Sequence, residues 1–565
     1  MYLLSPSGIG VRDRSDGAAA DVADRQERAD ALPASTQPLL PERPDARPAM
    51  VATAFSVVLA AAYLAAPLTG QDTSAQLARA EFAGAHPLTP VDLRWFGGTL
   101  QAGYSLWAPW LAGVLGTRLL GAITAVLGTW LATRLLQHAR PMRPMWGGLA
   151  IAVCQVVDVA VGRITYQCGL VFALAAALAV LHKRRAVGGA AALLAGAASP
   201  VAALGLGVFA LAGLLHRRVG DAVLLVVAGG IGASVVSLVF ADGGTMTFAP
   251  ESLIRAVLAS VLVVVLLPRR HDVIRIGAAI NLAVIVMSWA VASPIGSNAE
   301  RLSLLFAVPI VAACVEWRAW LAGAAVVVAL FSQPPTMPDI VRLAGVPATH
   351  AAYYRPLLDA IEQRGSLTGR VEVPEINGHW DAALLAEHVP IARGWLRQVD
   401  MKLNGDVFFA HAPTAVVYRQ WLAHNAVQYV AVPDARLTKW GRQEQALVTA
   451  GLPYLNPVWR NLHWTLYAVR DAAPIVAAPA KLLSMDASHI VVTAPRGTTA
   501  LVRIRWFSWT ILDTASGLDT ASGGCISPDG DQVLLHTGAG SGFARYVISS
   551  SADPLATGSE RGHCG

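Results

Sequence analysis

The chain has 565 residues, of which 55% are hydrophobic and only 14% charged, and its mean hydropathy is +0.49. Because soluble domains carry about 25% charged residues, this composition excludes an ordinary soluble globular protein and indicates a membrane protein. The net charge of +6 does not indicate nucleic-acid binding, since residues 1–49 contribute −2, residues 50–331 contribute +8 and residues 332–565 contribute 0.

Residues 1–47 are rich in Arg, Asp, Ala and Pro and contain almost no aromatic or β-branched residues. Such a segment buries too little apolar surface to offset its ordering entropy, so we expect a disordered cytoplasmic tail. Its basic residues are interrupted by acids and no small-residue cleavage site follows, so it does not have the pattern of a signal peptide.

Residues 48–331 predict a transmembrane domain. A helix needs about 20 residues to cross a bilayer, and several of the apolar segments are shorter than this. The eleven segments are 50–66, 118–136, 145–161, 164–181, 187–198, 201–215, 221–240, 253–267, 275–291, 302–315 and 318–331.

Charge sets the predicted topology. Residues 186–215 form either one helix kinked at Pro200 or a hairpin that turns at Ser199 and Pro200. The hairpin puts residues 183–185 and 217–218, all basic, on one side, as the positive-inside rule prefers. With the N-terminus inside, the inner loops carry twelve Lys and Arg residues and the outer loops six. We therefore expect a multi-pass plasma-membrane protein whose C-terminal 234 residues lie outside the cytoplasm.

The first outer loop, residues 67–106, is much longer than the other interspan loops and is therefore a candidate for function. Asp72 follows span 1 by six residues, so we expect it at the membrane surface. Apolar residues at helical spacing predict a helix over residues 71–82. The loop also contains Glu81 and Asp92, interleaved with Arg79 and Arg94.

The C-terminal part predicts two regions. In residues 332–472, strand-like runs alternate with helix-like stretches, which indicates an α/β domain. In residues 473–565, short alternating runs are separated by Gly, Ser, Pro and Asp, which indicates a β-sandwich. Cys525 and Cys564 both lie there, and the oxidising compartment favours a disulfide between them.

Several catalytic motifs are absent. There is no P-loop, HExxH, CxxC pair or nucleophile elbow. His379 and Asp381 lack a second spaced pair of ligands, so no metal site is predicted. The sequence specifies no cofactor and leaves a divalent cation open.

Three segments of the sequence resemble segments of known membrane proteins: DLRWFGGTLQAGYSLWAPWL, SNAERLSLLF and HWDAALLAEHVPIARGWLRQVD. Together with an acidic residue just after span 1, many short spans and a C-terminal β-sandwich, they resemble the GT-C superfamily of membrane glycosyltransferases and in particular actinobacterial (mycobacterial) envelope proteins of this kind. The Ala, Arg and Gly content suits such a source. Asp72 is followed by Thr73, where the family has a paired Asp-Glu.

The resemblance implies transfer of a sugar from a polyprenyl-phosphate donor to a cell-envelope glycan or glycolipid, such as arabinogalactan or lipoarabinomannan, on the outer face. Asp72 would be the general base, with Asp92 and Glu81 as further acidic candidates. The donor phosphate would be bound by Arg301, with Arg94 and Arg163 as the next choices.

Each assignment has a structural alternative. Asp72 is equally suited to cap the helix that follows it. The arginines Arg94 and Arg301 are equally suited to contact lipid headgroups or to flank spans. We expect Asp158 to pair with Arg163 rather than to act as a buried functional acid.

In the outer region, aromatic side chains next to His and Asp suggest a glycan-binding groove, although core packing explains such residues equally well. The residues concerned are His379, Trp380, Asp381 and Trp395. Two other functions stay open beside the glycosyltransferase. One is a transporter or flippase of a lipid-linked envelope intermediate; the other is a non-catalytic, glycan-binding assembly protein.

Overall fold

The computed structural model describes residues 45–67, 69–240, 242–315, 342–512, 523–553, 558–559 and 561–564. The predicted tail, up to residue 44, and the apolar segment 318–331 lie outside these residues. The protein is a polytopic helical membrane protein with a C-terminal sheet region. Among the described residues, seven helices are long and apolar enough to cross a membrane.

Ten helices of the described residues pack as a bundle, and each corresponds to one of the first ten predicted apolar segments. Two further helices precede α4 and contact each other: α2 Thr73–Ala85, within the loop of residues 67–106, and α3 Ala108–Leu115, directly after it. The bundle helices are α1 Arg47–Ala65, α4 Thr117–Gln137, α5 Pro144–Val161, α6 Ile164–Leu181, α7 Arg185–Ala198, α8 Pro200–Leu215, α9 Val219–Ser234, α10 Pro250–Leu266, α11 Asp272–Ala290 and α12 Arg301–Cys314. A π-helical turn, Val235–Val239, extends α9, and a 3-10 turn, Gly296–Glu300, precedes α12.

The hairpin predicted at Ser199 and Pro200 is confirmed. Ser199 has an extended backbone and ends α7, and its hydroxyl accepts a hydrogen bond from the amide of Ala202 at the start of α8. Arg185 Nε lies 2.7 Å from Asp221 Oδ1, which joins the first turn of α7 to the first turn of α9. The chain therefore goes through the bundle along α7 and returns along α8.

The first part of the C-terminal region is a mixed sheet with helices. Its strands have the order β3-β4-β6-β5, in which β3 and β4 are parallel and the other pairs antiparallel. The elements are α13 Ala351–Glu362, β3 Arg370–Glu372, α14 Asp381–Leu384, α15 Arg397–Asn404, α16 Ala415–His424, β4 Val427–Pro433, α17 Lys439–Thr449, β5 Leu455–Arg460 and β6 Trp464–Val469.

Two antiparallel sheets end the chain and share one apolar core. One has the order β10-β13-β8-β7 and the other β11-β12-β9. The strands are β7 Lys481–Met485, β8 Ile490–Pro495, β9 Thr499–Arg505, β10 Thr510–Leu512, β11 Cys525–Asp529, β12 Gln532–His536 and β13 Phe543–Ser550. The predicted disulfide between Cys525 and Cys564 is present.

Some strands, such as β5, show no alternation of apolar and polar residues in their sequence. In β5, Pro457 cannot donate to the ladder and the pairing shifts register between Pro457 and Trp459. The strand lies at the sheet edge with most of its residues exposed, so it shows no apolar alternation.

The first outer loop supplies side chains to both C-terminal cores. It forms a two-stranded ladder, β1 Val91–Asp92 and β2 Thr99–Leu100. Leu93 and its neighbours in the ladder pack into the core of the two antiparallel sheets, whereas Trp95 and Phe96 pack into the core of the mixed sheet. The Trp95 indole donates a hydrogen bond of 2.9 Å to the carbonyl of Ala382. The loop therefore contributes buried side chains to both C-terminal cores.

Candidate functional site

A group of buried polar side chains lies where α5 turns into α6. Asp158, in the last turn of α5, accepts hydrogen bonds from Arg163 Nη1 at 3.2 Å and from Gln167 Nε2 at 2.8 Å. The Asp158 and Arg163 side chains are less than a tenth exposed. Gly162 permits the turn with a left-handed φ of 101°. The expected pairing of Asp158 with Arg163 is therefore present.

Arg301 joins this group from the first residue of α12. Its Nη2 donates to Asn298 Oδ1 at 2.7 Å, and its guanidinium lies over the Tyr166 ring, 5.0 Å from the ring centroid. We call Asp158, Arg163, Tyr166, Gln167 and Arg301 the Arg163 cluster.

Two hydrogen-bond donors of the Arg163 cluster are unused. The Nε atoms of Arg163 and Arg301 are buried and have no acceptor among the described residues. Arg163 already pairs with Asp158, and the buried carboxylate of Glu300 acts on both arginines. The two Nε donors nevertheless lack an acceptor, which is costly for a buried group, and an anion would supply one. The cluster is thus suited to hold an anionic group.

Asp72 lies next to the Arg163 cluster. Its amide donates to the carbonyl of Val161 at 3.1 Å, which holds the start of α2 against the α5–α6 turn. The fit is close, since a Cβ added to Gly162 would lie 2.3 Å from the amide nitrogen of Thr73. The charge of Asp72 consequently acts on the Arg163 guanidinium, together with those of Asp158 and Glu300.

The Asp72 carboxylate is partly exposed. Asp72 occupies the N-cap position of α2, yet its side chain makes no capping hydrogen bond. No other side-chain hydrogen bond or ion pair of Asp72 occurs within the part of the chain that the structure describes. A carboxylate with free lone pairs, close enough to act on the Arg163 guanidinium, is able to accept a proton from a bound hydroxyl.

Glu81, Asp92 and Arg94 form a separate clamp within the loop. Asp92 is fully buried and accepts from the amide, Nε and Nη2 of Arg94 and from Gln101 Nε2, at 2.9–3.1 Å. Arg94 also donates to the carbonyl of Ala78 in α2 and lies 3.6 Å from Glu81. Burial raises the pKa of Glu81, against the attraction of Arg94. The clamp fastens α2 to the β1–β2 ladder.

A cavity of about 470 Å³ begins at Tyr166 and continues inside the bundle. Its wall is mostly apolar and is formed by α4, α6, α8, α10, α11 and α12, with contributions from α5 and α9. Ser260, Asn281 and Ser303 are polar residues of the wall, and they bond to one another at 2.7–3.3 Å. At the other end the cavity reaches His216 and Arg218, which are exposed.

The residues predicted to bind glycans lie in the interior of the mixed-sheet region. Trp380 is 1% exposed, Asp381 8% and His379 6%. The His379 ring is stacked on the partly buried Trp395, with centroids 3.4 Å apart. Burial, followed by the charge of Arg397, holds the pKa of His379 well below its ordinary value. These side chains belong to a buried network and do not line an open groove.

That network contains charged residues which sequence patterns did not reveal. Arg393 lies 2.8 Å from Asp400, 3.5 Å from Glu444 and 3.7 Å from Glu372. Burial raises the pKa of Glu372 well above its ordinary value and that of Glu444 to about 7. The separation of these residues along the chain hides their proximity from local sequence reading.

The adjoining aromatic residues complete the network. Arg397 donates to Glu375 at 2.5 Å, and its guanidinium lies over the rings of Trp395 and Trp440, 4.8 and 4.7 Å from their centroids. Among the described residues, no group of three or more His, Cys, Asp or Glu side chains is placed to hold a metal ion.

Comparisons with known proteins gave matches only to solved structures. No family model matches the chain, and no curated protein matches it. Cryo-EM structures of arabinofuranosyltransferase AftD from mycobacteria match over 91% of this chain. One structure of AftD is 12% identical to this chain with a TM-score of 0.38. Two classes of a mutant of AftD are 13% and 12% identical, with TM-scores of 0.40 and 0.41. The match covers 58–60% of the AftD chains, so this chain spans about three fifths of their length.

Proposed function

We propose that the protein is a membrane glycosyltransferase that moves a sugar from a polyprenyl-phosphate donor to a cell-envelope glycan or glycolipid. One observation carries the proposal. Asp72, a carboxylate without a side-chain partner in the described structure, acts on the buried guanidinium of Arg163, and both Arg163 and Arg301 keep an unused N–H; Tyr166, over which Arg301 lies, lines an apolar cavity of the bundle. This arrangement combines a base, an anion site and a place for a lipid chain.

In the proposed reaction, an acceptor hydroxyl attacks the anomeric carbon of the donor sugar. Asp72 takes the hydroxyl proton as the new carbon–oxygen bond forms. The bond between the anomeric carbon and the phosphate oxygen breaks, and its electron pair leaves with the polyprenyl phosphate. Arg163 and Arg301 stabilise the phosphate by charge-assisted hydrogen bonds from their Nε atoms.

Within the proposal, Asp158 and Gln167 are positioning residues. Asp158 fixes one edge of Arg163 through Nη1, so that Nε stays directed away from this ion pair. Glu81, Asp92 and Arg94 hold the loop that carries Asp72. Asp92 takes no part in proton transfer in this proposal, since both of its oxygens already accept hydrogen bonds.

The proposed topology has eleven spans, the N-terminus in the cytoplasm and residues 332–565 outside, divided at about residue 472. The twelve to six distribution of basic residues and the Cys525–Cys564 disulfide support this orientation. Single cysteines introduced at the exposed positions Arg217 and Asp529 test it. A membrane-impermeant maleimide added to intact cells should label position 529 alone; labelling of position 217 alone would reverse the orientation.

The transfer assay uses the full chain in lipid nanodiscs, a radiolabelled polyprenyl-phosphate sugar and a short arabinan or mannan acceptor. We expect Asp72→Asn to lower kcat by at least about 100-fold, the usual range for a general base, with little change in KM for the donor. Arg301→Gln should instead weaken donor binding. A suitable control is Asp529→Asn, a change at an exposed position of a distant sheet.

Two results would contradict the proposal. Transfer that survives Asp72→Asn would remove Asp72 as the base. Lack of transfer by the wild type with several donors, combined with movement of the donor between leaflets, would favour a flippase; glycan binding without transfer would favour an assembly protein.

A further inference from the structure

Two hydrogen bonds fasten the C-terminal region to the start of α2, and Asp72 lies between them in the sequence. Gln71 donates from Nε2 to Asn377 Oδ1 at 3.3 Å, and the Ser74 hydroxyl donates to the carbonyl of Gly378 at 3.0 Å. The partners of each bond lie more than 300 residues apart along the chain. Residues 377 and 378 therefore lie against the segment that carries Asp72.

The mixed-sheet region holds the same two residues from behind. The amide of Asn377 donates to the carbonyl of Arg436 at 2.8 Å, and the amide of Thr438 donates to the carbonyl of Glu375 at 3.0 Å. Because the segment is bonded both to the sheet region and to α2, the fold itself sets the position of Asn377 relative to Asp72.

The backbone directly after Asn377 is strained. Gly378 and His379 have left-handed φ angles of 94° and 52°, a conformation that costs free energy in a residue with a Cβ such as His379. The His379 ring is stacked on Trp395 with centroids 3.4 Å apart, which holds the turn in place. Strained turns of this kind cluster at binding sites, because they keep a neighbouring side chain in a fixed position.

Asn377 keeps an unused hydrogen-bond donor at this position. Its Oδ1 accepts from Gln71, whereas its Nδ2 has no partner within the part of the chain that the structure describes. Asn377 and Asp72 are both partly exposed, so a dissolved molecule reaches both residues. A carboxamide N–H is a suitable donor to the oxygen of a sugar hydroxyl.

The start of α2 lies between the bundle and residues 377–378. Towards the bundle, the Asp72 amide bonds to the carbonyl of Val161 and the Asp72 charge acts on Arg163, where the proposed donor phosphate binds. In a direct displacement, the attacking hydroxyl approaches the anomeric carbon opposite to the leaving phosphate. The acceptor therefore comes from the side of Asn377.

We propose that Asn377 binds the acceptor glycan by donating a hydrogen bond from Nδ2 to the hydroxyl next to the one that Asp72 deprotonates. This rests on the proposed function for the role of Asp72. Asn377 bonds to Gln71, the residue before Asp72, and not to Asp72 itself, so its N–H meets an atom beside the attacking oxygen. The site thus takes a sugar with two vicinal hydroxyls and rejects one that lacks the second.

The test uses the full chain in nanodiscs and the arabinan or mannan acceptor that gives transfer. Asn377→Ala should lower kcat/KM for the acceptor by about 3- to 12-fold, the effect of one neutral hydrogen bond, and leave KM for the donor within about twofold. Hydrolysis of the donor by water should also stay within about twofold, since water does not need Asn377. The matched control is Asn456→Ala, at an exposed position of the edge strand β5, which should behave as the wild type.

Asn377→Asp separates binding of the acceptor from support of the loop. A carboxylate of the same size still accepts the bond from Gln71 but has no N–H to donate. The variant should keep the Tm of the wild type and lose at least as much kcat/KM for the acceptor as Asn377→Ala. It also replaces Asn377→Ala if the alanine variant does not fold. Wild-type kcat/KM in Asn377→Asp would show that only the bond to Gln71 matters, and would overturn the proposal.

An acceptor whose vicinal hydroxyl is replaced by hydrogen tests the contact itself. The wild type should use this acceptor about 3- to 12-fold less well than the complete one. Asn377→Ala should lose nothing further, so the two proteins should become equal within about twofold. The same ratio of wild type to variant with both acceptors would overturn the proposal.

The outcomes separate this inference from the proposed function. Transfer by the wild type and equally by Asn377→Ala would remove the acceptor contact and leave the glycosyltransferase standing. If the wild type transfers no sugar but binds the acceptor in calorimetry, and Asn377→Ala binds it about 3- to 12-fold more weakly, the glycan site stands and the glycosyltransferase falls. Absence of both transfer and acceptor binding would overturn both.

Discussion

Asp381 provides a test of how the mixed-sheet region depends on pH. It begins α14, is 8% exposed, and its Oδ1 atom has no hydrogen-bond partner among the described residues. Burial raises the pKa of Asp381 from its ordinary 3.8 to about 7. Because no group donates a hydrogen bond to Oδ1, Asp381→Asn should keep the shape and contacts of the side chain while removing its titratable proton.

The direction of the pH effect depends on which state holds the proton. Between pH 4 and pH 7 the unfolded chain has released the Asp381 proton and the folded protein retains it, so unfolding releases a proton and stability falls as the pH rises. The stabilisation is complete below about pH 4 and is lost as the pH passes about 7. A difference of about three pH units corresponds to about 4 kcal/mol in the free energy of unfolding.

The measurement is thermal unfolding followed by tryptophan fluorescence, with the full chain in nanodiscs, from pH 4 to pH 8.5. Asp381→Asn should match the wild type at pH 4 and be more stable at pH 8, by up to about 4 kcal/mol. Asp529→Asn, at an exposed position, is the control for the loss of one carboxylate. A difference between wild type and Asp381→Asn that is the same at pH 4 and pH 8 would refute the assignment of a buried, protonated carboxyl.

Three further changes test the packing of the first outer loop and the terminal sheets. Trp95→Ala removes a fully buried ring and its bond to a carbonyl, and should lower the free energy of unfolding by about 3–5 kcal/mol in chemical denaturation. Arg94→Lys cannot reproduce the guanidinium contacts with Asp92 and should also destabilise, by at least about 1 kcal/mol; an unchanged denaturation midpoint would show that the clamp is not needed. The double variant Cys525→Ser, Cys564→Ser opens a loop of 39 residues and should lower the free energy of unfolding by about 4 kcal/mol, through the greater entropy of the unfolded chain. Its Tm should be lower than that of the oxidised wild type and equal to that of the wild type under reducing conditions.

Hydropathy and charge predicted the bundle well because both act locally along the chain. Each apolar segment that falls on described residues became a helix, and basic residues placed the turn at Ser199 correctly, in agreement with the Arg185–Asp221 pair. The cysteine pair was also predictable, since both thiols lie in one small region rich in short strands.

The buried network of the mixed-sheet region could not be predicted in this way. Glu372, Asp400 and Glu444 look like ordinary surface acids in their local sequence, and only the tertiary fold brings them to Arg393. The same holds for Asp92, which is fully buried, and whose neighbour Leu93 donates its amide hydrogen bond to the carbonyl of Ala487, far along the chain. Long-range packing, which local periodicity does not encode, decides whether an acidic side chain is free or enclosed.

The placement of the first outer loop between both C-terminal cores has a consequence for biosynthesis. Trp95 bonds to a residue 287 positions later, and Arg505 bonds to the carbonyl of a glycine 407 positions earlier. At a synthesis rate of about 5–20 residues per second, the loop waits about 20–80 seconds for its last partners to appear. During that interval its apolar side chains have no native core, so they require shelter from the lipid interface or from a chaperone. A nascent chain that stops before the sheets are made therefore lacks the partners of Trp95 and Gly98.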